Sequence, residues 1–388
     1  MPAHITVIGA GIAGLASAVA LRRAGHEATV IEQRTDTTTG AGISIWPNAL
    51  AALDEIGLGD TVRDAGGRVT AGAIRWRDGA WLRRPSAQRI VTALGEPLVV
   101  IHRSALTEIL RSALPPDAVE YGVAATGLTA AGATVRITLS DSRIRDADAV
   151  VGADGVNSMV ARILNGPLPS RYVGYTAWRG VAKFSLDPDL AGETMGPGSE
   201  VGHVPLGPDH TYWFATERAS EGSSAPGGDH AYLTGRLASW AAPIPQLIAA
   251  TDPAALLRND LYDRAEATHW CRGPVVSVGD AAHPMRPHLG QGGCQGLEDA
   301  AILARFVTLC PDLATAFARF SRFRRPRVRP VVHESRAIGR IVNLRPAVLS
   351  GAASRASALI PERVVTRHLA SIAARSAFVL PTAADAAP

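Results

Sequence analysis

The chain has 388 residues, 47% hydrophobic and 19% charged, a globular balance that excludes disorder across the main body. Surface scaling leaves ~14,500 Å² exposed of ~59,000 Å² in the unfolded chain, enough core for one large domain or two intimate ones that bury a cofactor. A formal charge of +4 is too small to argue for nucleic acid, three cysteines without metal-ligand spacing suit a reducing cytoplasm, and no apolar run reaches the ~18 residues that span a bilayer.

Ile5–Ile8 is a short β-branched run, Ile12–Ala24 carries apolar residues at helical spacing, and Ala28–Ile31 returns to β-type residues before Glu32. These predict a strand, a helix and a second strand. Ala49–Ile56 after Pro47 and Ser104–Leu114 read as helices, the latter with Ser104 as N-cap and Pro115 as its stop. Ala71–Trp81 and Arg89–Val100 read as strands. Thr134–Leu139 alternates as an exposed strand, whereas Ala149–Ala153 is a continuous apolar run of the kind buried in parallel sheets. Tyr172–Phe184, Val201–Leu206 and Thr211–Thr216 are strand-like and aromatic-rich, which predicts a second sheet made of inserted segments. Pro274–Val278 is another buried strand and Gly296–Leu309 a long helix. Ala318–Arg340 is arginine-dense, but Phe320, Phe323, Val328 and Val332 lie among the arginines, so a packed helix with a solvated face is expected. The alanine-rich tail from Pro381 is expected to fray.

Gly9-x-Gly11-x-x-Gly14 follows the first strand and opens the first helix, the context that gives this pattern meaning. Gly9 permits a tight turn, Gly11 lets backbone N–H groups approach a pyrophosphate, and Gly14 allows helix and strand to pack closely. Glu32, with Gln33 beside it, ends the second strand where a carboxylate accepts from ribose hydroxyls. Two later segments, Val150–Ser158 and Pro274–Pro284, each deliver an aspartate, Asp154 and Asp280, at the C-terminal end of a buried strand, where open α/β sheets bind ligands. An ordinary helix N-cap is the alternative role for Asp154.

With these three motifs in order, the sequence resembles the single-component flavoprotein aromatic hydroxylases, the family with the p-hydroxybenzoate hydroxylase fold. The resemblance covers about Ile5–Arg340 and includes the continuation from Pro287 to Cys294. Gly40–Asn48 and Trp240–Ile248 look most like the branch with FAD-dependent urate hydroxylase, salicylate hydroxylase being more distant. It implies an α/β fold in which a Rossmann-like FAD-binding domain (residues 1–70, 101–168 and 271–340) is interleaved with a mixed-sheet substrate domain (71–100 and 169–270), followed by C-terminal helices and a tail (341–388). It also implies that Asp280 bonds the ribityl hydroxyls of FAD and that Arg103 contacts the phosphate region. Asp154 would help to hold FAD and a nicotinamide groove, with Ser44 and Val123 as weaker contacts.

Gly290, Gly292, Gly293 and Cys294 lead into a helix expected to begin near Gln295, whose amides and dipole can face the pyrimidine end of the flavin. Pro287 would line its reactive edge. His283 and His288 lack a third metal ligand nearby and suit packing or hydrogen bonding, so no metal is expected. Alternation places His210, Tyr212 and Phe214 on one strand face and Glu200, Gly202 and Val204 on one face of the preceding strand. Glu200 and Tyr212 are candidates to orient or deprotonate a substrate, with Trp178 and Arg286 as further pocket candidates against core or ion-pair roles.

The implied activity is an NAD(P)H- and O2-dependent monooxygenation of an electron-rich aromatic or heteroaromatic small molecule, by hydroxylation or epoxidation through a flavin C4a-hydroperoxide. The sequence departs from the family where Ala161 stands in place of an arginine, which leaves NADH against NADPH open, and where Glu200 aligns with a substrate-gripping arginine of the urate hydroxylases, which argues against urate. The alternatives are a flavin dehydrogenase or reductase without oxygen transfer and a non-catalytic flavin-binding redox sensor. A cytoplasmic monomer or homodimer is expected, with neither nucleic acid nor membrane as partner.

Overall fold

The structure is a computed structural model and describes residues 2–35, 40–131 and 134–386. Its central sheet runs Cys271–Arg272, Val275–Ser277, Ala149–Gly152, His4–Ile8, Glu27–Glu32 and Val119–Tyr121, parallel except at the Cys271–Arg272 edge. Ile5, Val7, Ala149, Val150, Val151 and Val276 are fully buried, which is why these strands are continuous apolar runs and do not alternate. The helices Ile12–Arg23 and Gly292–Leu309 pack together beside this sheet.

A second sheet runs Leu257–Arg264, Ser170–Ala182, Thr211–Glu217, Ser199–Pro205, Gly192–Gly196, Ala73–Trp76 and Trp81–Arg83. All its pairings are antiparallel except Gly192–Gly196 with Ala73–Trp76. Opposed residues put Glu200, Gly202, Val204, Tyr212, Phe214 and Thr216 on one face. The other face carries Val201, Trp213 and Ala215 against Leu233, Leu237, Ile244 and Leu247. A small sheet of Gly42–Ile45, Leu98–His102 and Gly67–Val69 lies between the two large ones in the chain path. This is the α/β class the sequence predicts. No helix among the described residues is long and apolar enough to cross a membrane.

Several local expectations need correction. Arg89–Val100 is not one strand: Ala87–Leu94 is a helix capped by Ser86, ended by Gly95 at φ 91°, and followed by the strand Leu98–His102. Ile90 and Leu94, four residues apart, pack on Ala373 and Ala374 of the C-terminal region, so the helical period wins there. The helix after that strand starts at Arg103 with His102 as its N-cap residue, and the Ser104 hydroxyl lies 2.6 Å from His102 Nδ1 instead of capping. His210 is exposed just outside the Thr211–Glu217 strand. The tail does not fray at Pro381: Pro381 is buried, its carbonyl accepts from Arg305 Nε at 3.3 Å, and Asp385 accepts from the Thr382 amide at 2.8 Å.

The arginine-dense segment is a 30-residue helix, Leu313–Val342, that continues through Pro326 and Pro330. Not all its arginines are solvated. Arg324 is 1% exposed and bridges to the neighbouring helix, its Nε donating to Asp299 at 2.7 Å and its Nη1 to Glu298 at 2.5 Å. Asp299 also accepts from the Gly279 amide at 2.8 Å and lies 2.6 Å from His283 Nε2, and Glu298 accepts from Asn48 at 2.7 Å. One buried network thus ties two long helices to the Gly279–Asp280 turn.

Burial works to raise the Asp299 pKa, but His283 and Arg324 outweigh it and hold the carboxyl near 2. Because the folded value is depressed, this stabilisation is complete above the unfolded carboxyl value near 4 and is lost as pH falls towards 2, a contribution of about 2 kcal/mol. Urea unfolding at pH 7, 4 and 2.5 should show that loss between the last two, with a shallower dependence in Asp299→Asn.

Candidate active site

The Gly9–Gly14 turn is built as its spacing requires. Gly9 has φ 105°, and a Cβ on Gly14 would stand 1.9 Å from the Gly9 carbonyl oxygen, so only glycine fits there. A Cβ on Gly11 would meet nothing within 4 Å, which leaves open space in front of the first helix's N-terminus. Glu32 is buried and already accepts from the Ala10 amide at 2.7 Å and the Arg34 amide at 2.8 Å, so backbone N–H groups fix the carboxylate that ends the strand. Gln33 is exposed beside it, and the Val123 amide donates to the Glu32 carbonyl at 3.1 Å.

Asp280 lies deep among protein atoms, and burial raises its pKa against the pull of His283, Arg103 and Arg264. Yet its side chain is exposed, and it makes no hydrogen bond among the described residues. It is a deeply set carboxylate that solvent reaches. A Cβ on Gly292 would stand 3.8 Å from Asp280 Oδ1, which places the carboxylate beside the N-terminus of the Gly292–Leu309 helix. That helix begins at Gly292 with Gln291 as its N-cap residue, not near Gln295, so Gly292 and Gly293 present their amides in its first turn. Arg103 is exposed at the start of its own helix and close enough to pull on both Asp280 and Tyr212.

Other candidates are spent on the protein itself. Asp154 accepts from the Met159 and Val160 amides at 2.7 and 3.2 Å and from the Ser158 hydroxyl, so it serves the N-terminus of the Met159–Asn165 helix, the alternative role weighed for it. Cys294 is fully buried; its Sγ stands 3.5 Å from both the Trp46 amide and the Ser44 carbonyl, and burial pushes the thiol up to about 12. The cysteine side chain is therefore a staple between strand and helix, not a ligand of the cleft. Arg286 is committed to an ion pair, donating to both oxygens of Asp263 at 3.0 and 2.6 Å. Trp178 is a correction too: it opposes Ala215 on the far face of the sheet and packs near Tyr232.

The near face does meet the dinucleotide side of the molecule. A Cβ on Gly42 would stand 2.4 Å from the Tyr212 ring, so Tyr212 presses directly on the Gly42–Ile45 strand. Its hydroxyl pKa is raised by burial against the pull of Arg179. Glu200 is 3% exposed, accepts from the Thr216 hydroxyl at 3.0 Å, and has Oε1 2.9 Å from His288 Nδ1, off the line of a hydrogen bond. His288 Nε2 lies 2.7 Å from the Tyr175 hydroxyl, and Pro287, exposed, precedes it in a short 3-10 turn ending at Leu289. Glu200 and Tyr212 are thus brought to one face, beside the Pro287–Gly290 segment.

Sequence reasoning missed Glu193. It opposes Gly202 on this face, and its pKa is pushed up to about 7, chiefly by burial, with Glu200 adding repulsion and His288 opposing. A separate small surface depression, edged by Trp270, His283, Arg325, Arg329 and Arg336, shares none of Glu193, Glu200, Tyr212 or Asp280.

The open space before Gly11, the solvent-reached Asp280 and the two helix N-termini fit a dinucleotide. Comparison with known proteins agrees. The family model described as an FAD binding domain matches residues 3–311. Aurachin C monooxygenase/isomerase of Stigmatella aurantiaca is 39% identical over 341 residues, 87% of this chain and 89% of that protein. 3-Amino-4-hydroxybenzoate 2-monooxygenase of Streptomyces cremeus is 35% identical over 344 residues, 86% of each. The solved structure of Klebsiella pneumoniae HpxO complexed with FAD and uric acid superposes with a TM-score of 0.89 at 28% identity, covering 95% of this chain and 96% of that one.

Proposed function

The chain belongs to the FAD-binding family of flavin-dependent aromatic monooxygenases, and from that premise we propose that it uses NAD(P)H and O2 to hydroxylate or epoxidise an electron-rich aromatic or heteroaromatic small molecule. Bound FAD supplies the hydride acceptor and the activation of oxygen. The rest falls to the chain's own residues.

The amides before and within the first helix turn, around Gly9, Gly11 and Gly14, hold the pyrophosphate with the helix dipole behind them. Asp280 accepts from the ribityl hydroxyls, Arg103 neutralises phosphate charge, and the amides of Gly292 and Gly293 stabilise negative charge that grows at the pyrimidine end. Ser44 and Gln33 supply weaker contacts to the same dinucleotide. Pro287, lacking an N–H, shapes a wall of the pocket without donating to the reacting oxygen. Glu200 and Tyr212 orient the substrate ring, and Glu200 takes a proton from a ring hydroxyl or N–H, which makes the ring carbon more nucleophilic.

The observation that carries this reading is the packing of the Tyr212 ring on Gly42, which sets the polar sheet face against the strand beside the dinucleotide cleft. Support for oxygen transfer comes from the monooxygenase activity named for both relatives. The test is NAD(P)H oxidation and oxygen uptake across a panel of phenols, indoles, quinolones and purines. Substrate-dependent uptake without stoichiometric peroxide is expected. NAD(P)H consumption that persists unchanged without oxygen would replace this reading with that of a reductase.

A further inference from the structure

The roles given above to Glu200 and Tyr212 leave one acid of the cleft face unused. Glu193 opposes Gly202, two pairs along from Met195 opposite Glu200, and so lies on the same face. Gly202 has no side chain to cover it, and the Phe214 ring fills that space, since a Cβ there would stand 2.1 Å from Phe214 Cε1. Glu193 therefore borders an aromatic surface, is partly open, and makes no hydrogen bond among the described residues.

The groups around it are accounted for. Glu200 accepts from Thr216 and abuts His288, whose other nitrogen is held by Tyr175. On the adjoining strand Ile74 and Trp76 share the face, and Ile338 and Val342 of the long helix pack against them. Of the cations, Arg286 is clamped by Asp263, and Arg179, opposite Phe214, donates to Asn259 at 2.8 Å. His288 is shared with Glu200, so no cation is dedicated to Glu193. An ionised carboxylate only accepts hydrogen bonds, and a second anion beside it is repelled.

The geometry points to Glu193 as the acceptor of the substrate's N–H or O–H donor, with Glu200 beside it, so that the cleft takes neutral or cationic ring compounds and rejects rings that present a carboxylate to this wall. This rests on the monooxygenase reading of the same cleft. It separates the chain from its aminohydroxybenzoate-oxidising relative, whose named substrate is a benzoate. A like charge about 6 Å away at a near-surface dielectric weakens binding on the order of 10–100-fold. Glu193 gains its charge as pH rises through neutrality, so discrimination against anions strengthens from pH 6 to pH 8.

Calorimetric titration of the FAD-loaded enzyme with 4-hydroxybenzamide and 4-hydroxybenzoate, and with indole and indole-2-carboxylate, tests this. The uncharged member of each pair is expected to bind at least about tenfold tighter at pH 8, with a smaller preference at pH 6. Glu193→Gln should shrink the preference and flatten its pH dependence, while Glu193→Asp keeps both. Carboxylates that bind as tightly as their uncharged partners overturn the proposal, as does a Glu193→Gln enzyme with unchanged preference and pH dependence. Oxygen uptake on the same preparation is read separately: an active hydroxylase that prefers the benzoate keeps the proposed function and loses this inference.

Discussion

Asp280→Ala is expected to purify folded, monodisperse and largely colourless. The carboxylate makes no hydrogen bond to the described residues, while the backbone at Asp280 is held independently by Arg264, whose Nη1 donates to its carbonyl at 3.3 Å. Burial raises its pKa, so the folded protein carries this charge at a cost and removing it does not weaken the fold. In the role proposed for it, each hydrogen bond from the carboxylate to a ribityl hydroxyl contributes about 1.5–3 kcal/mol, or roughly 10–150-fold in FAD affinity. Flavin absorbance per mole of protein and apo-protein melting temperature separate the two effects. Full FAD occupancy would count against the assignment, and a collapsed melting temperature would make Asp280 structural.

Arg324→Met should lower stability by about 3–5 kcal/mol, the cost of leaving buried carboxylates without their cation. Glu298 and Asp299 are 1% and 0% exposed, and besides neutral donors such as Asn48 and the Gly279 amide they keep only His283 and the more exposed Arg327. Denaturant titration of the variant gives the number. The triple change Arg324→Met, Glu298→Gln, Asp299→Asn should recover part of the loss, because it removes the stranded charges along with the cation. If the single variant were as stable as the parent, the network would have to be screened by water that the close packing argues against.

The central sheet and the dinucleotide turn were legible because short-range constraints write them. Buried parallel strands are predominantly apolar on both faces, and Gly14 sits where any side chain would strike the Gly9 carbonyl. The position of Asp280 was legible, since a buried apolar run marks the strand that it follows. Asp154 shows the limit of that rule, since the same strand-end position equally suits a cap, and the neighbouring amides of Met159 and Val160 claim its oxygens. Trp178 was misplaced because alternation assigns residues to two faces without saying which faces the cleft, and the ion pair of Arg286 was hidden because Asp263 lies 23 residues away on the Leu257–Arg264 strand. Glu193 was invisible because its importance arises from pairing. Its strand is five residues long, and only the register with Gly202 and Glu200 brings the two acids together. Arg324 hid among the exposed arginines of its helix, for charge composition does not reveal which member of a run turns inward.

The path of the second sheet bears on how such a protein can diversify. Gly192–Gly196 has Ala73–Trp76 as its parallel neighbour, contributed from more than a hundred residues earlier in the chain. A contiguous exchange of residues 170–264 between relatives would set one protein's Gly192–Gly196 strand against the other's Ala73–Trp76 strand, mismatching the side chains packed across that seam beside Glu193 and Met195. New specificities in this scaffold are therefore reached most readily by single substitutions on the inner strands. Recombination would succeed only by exchanging two separate segments, so that the Ala73–Arg83 hairpin travels with the sheet it completes.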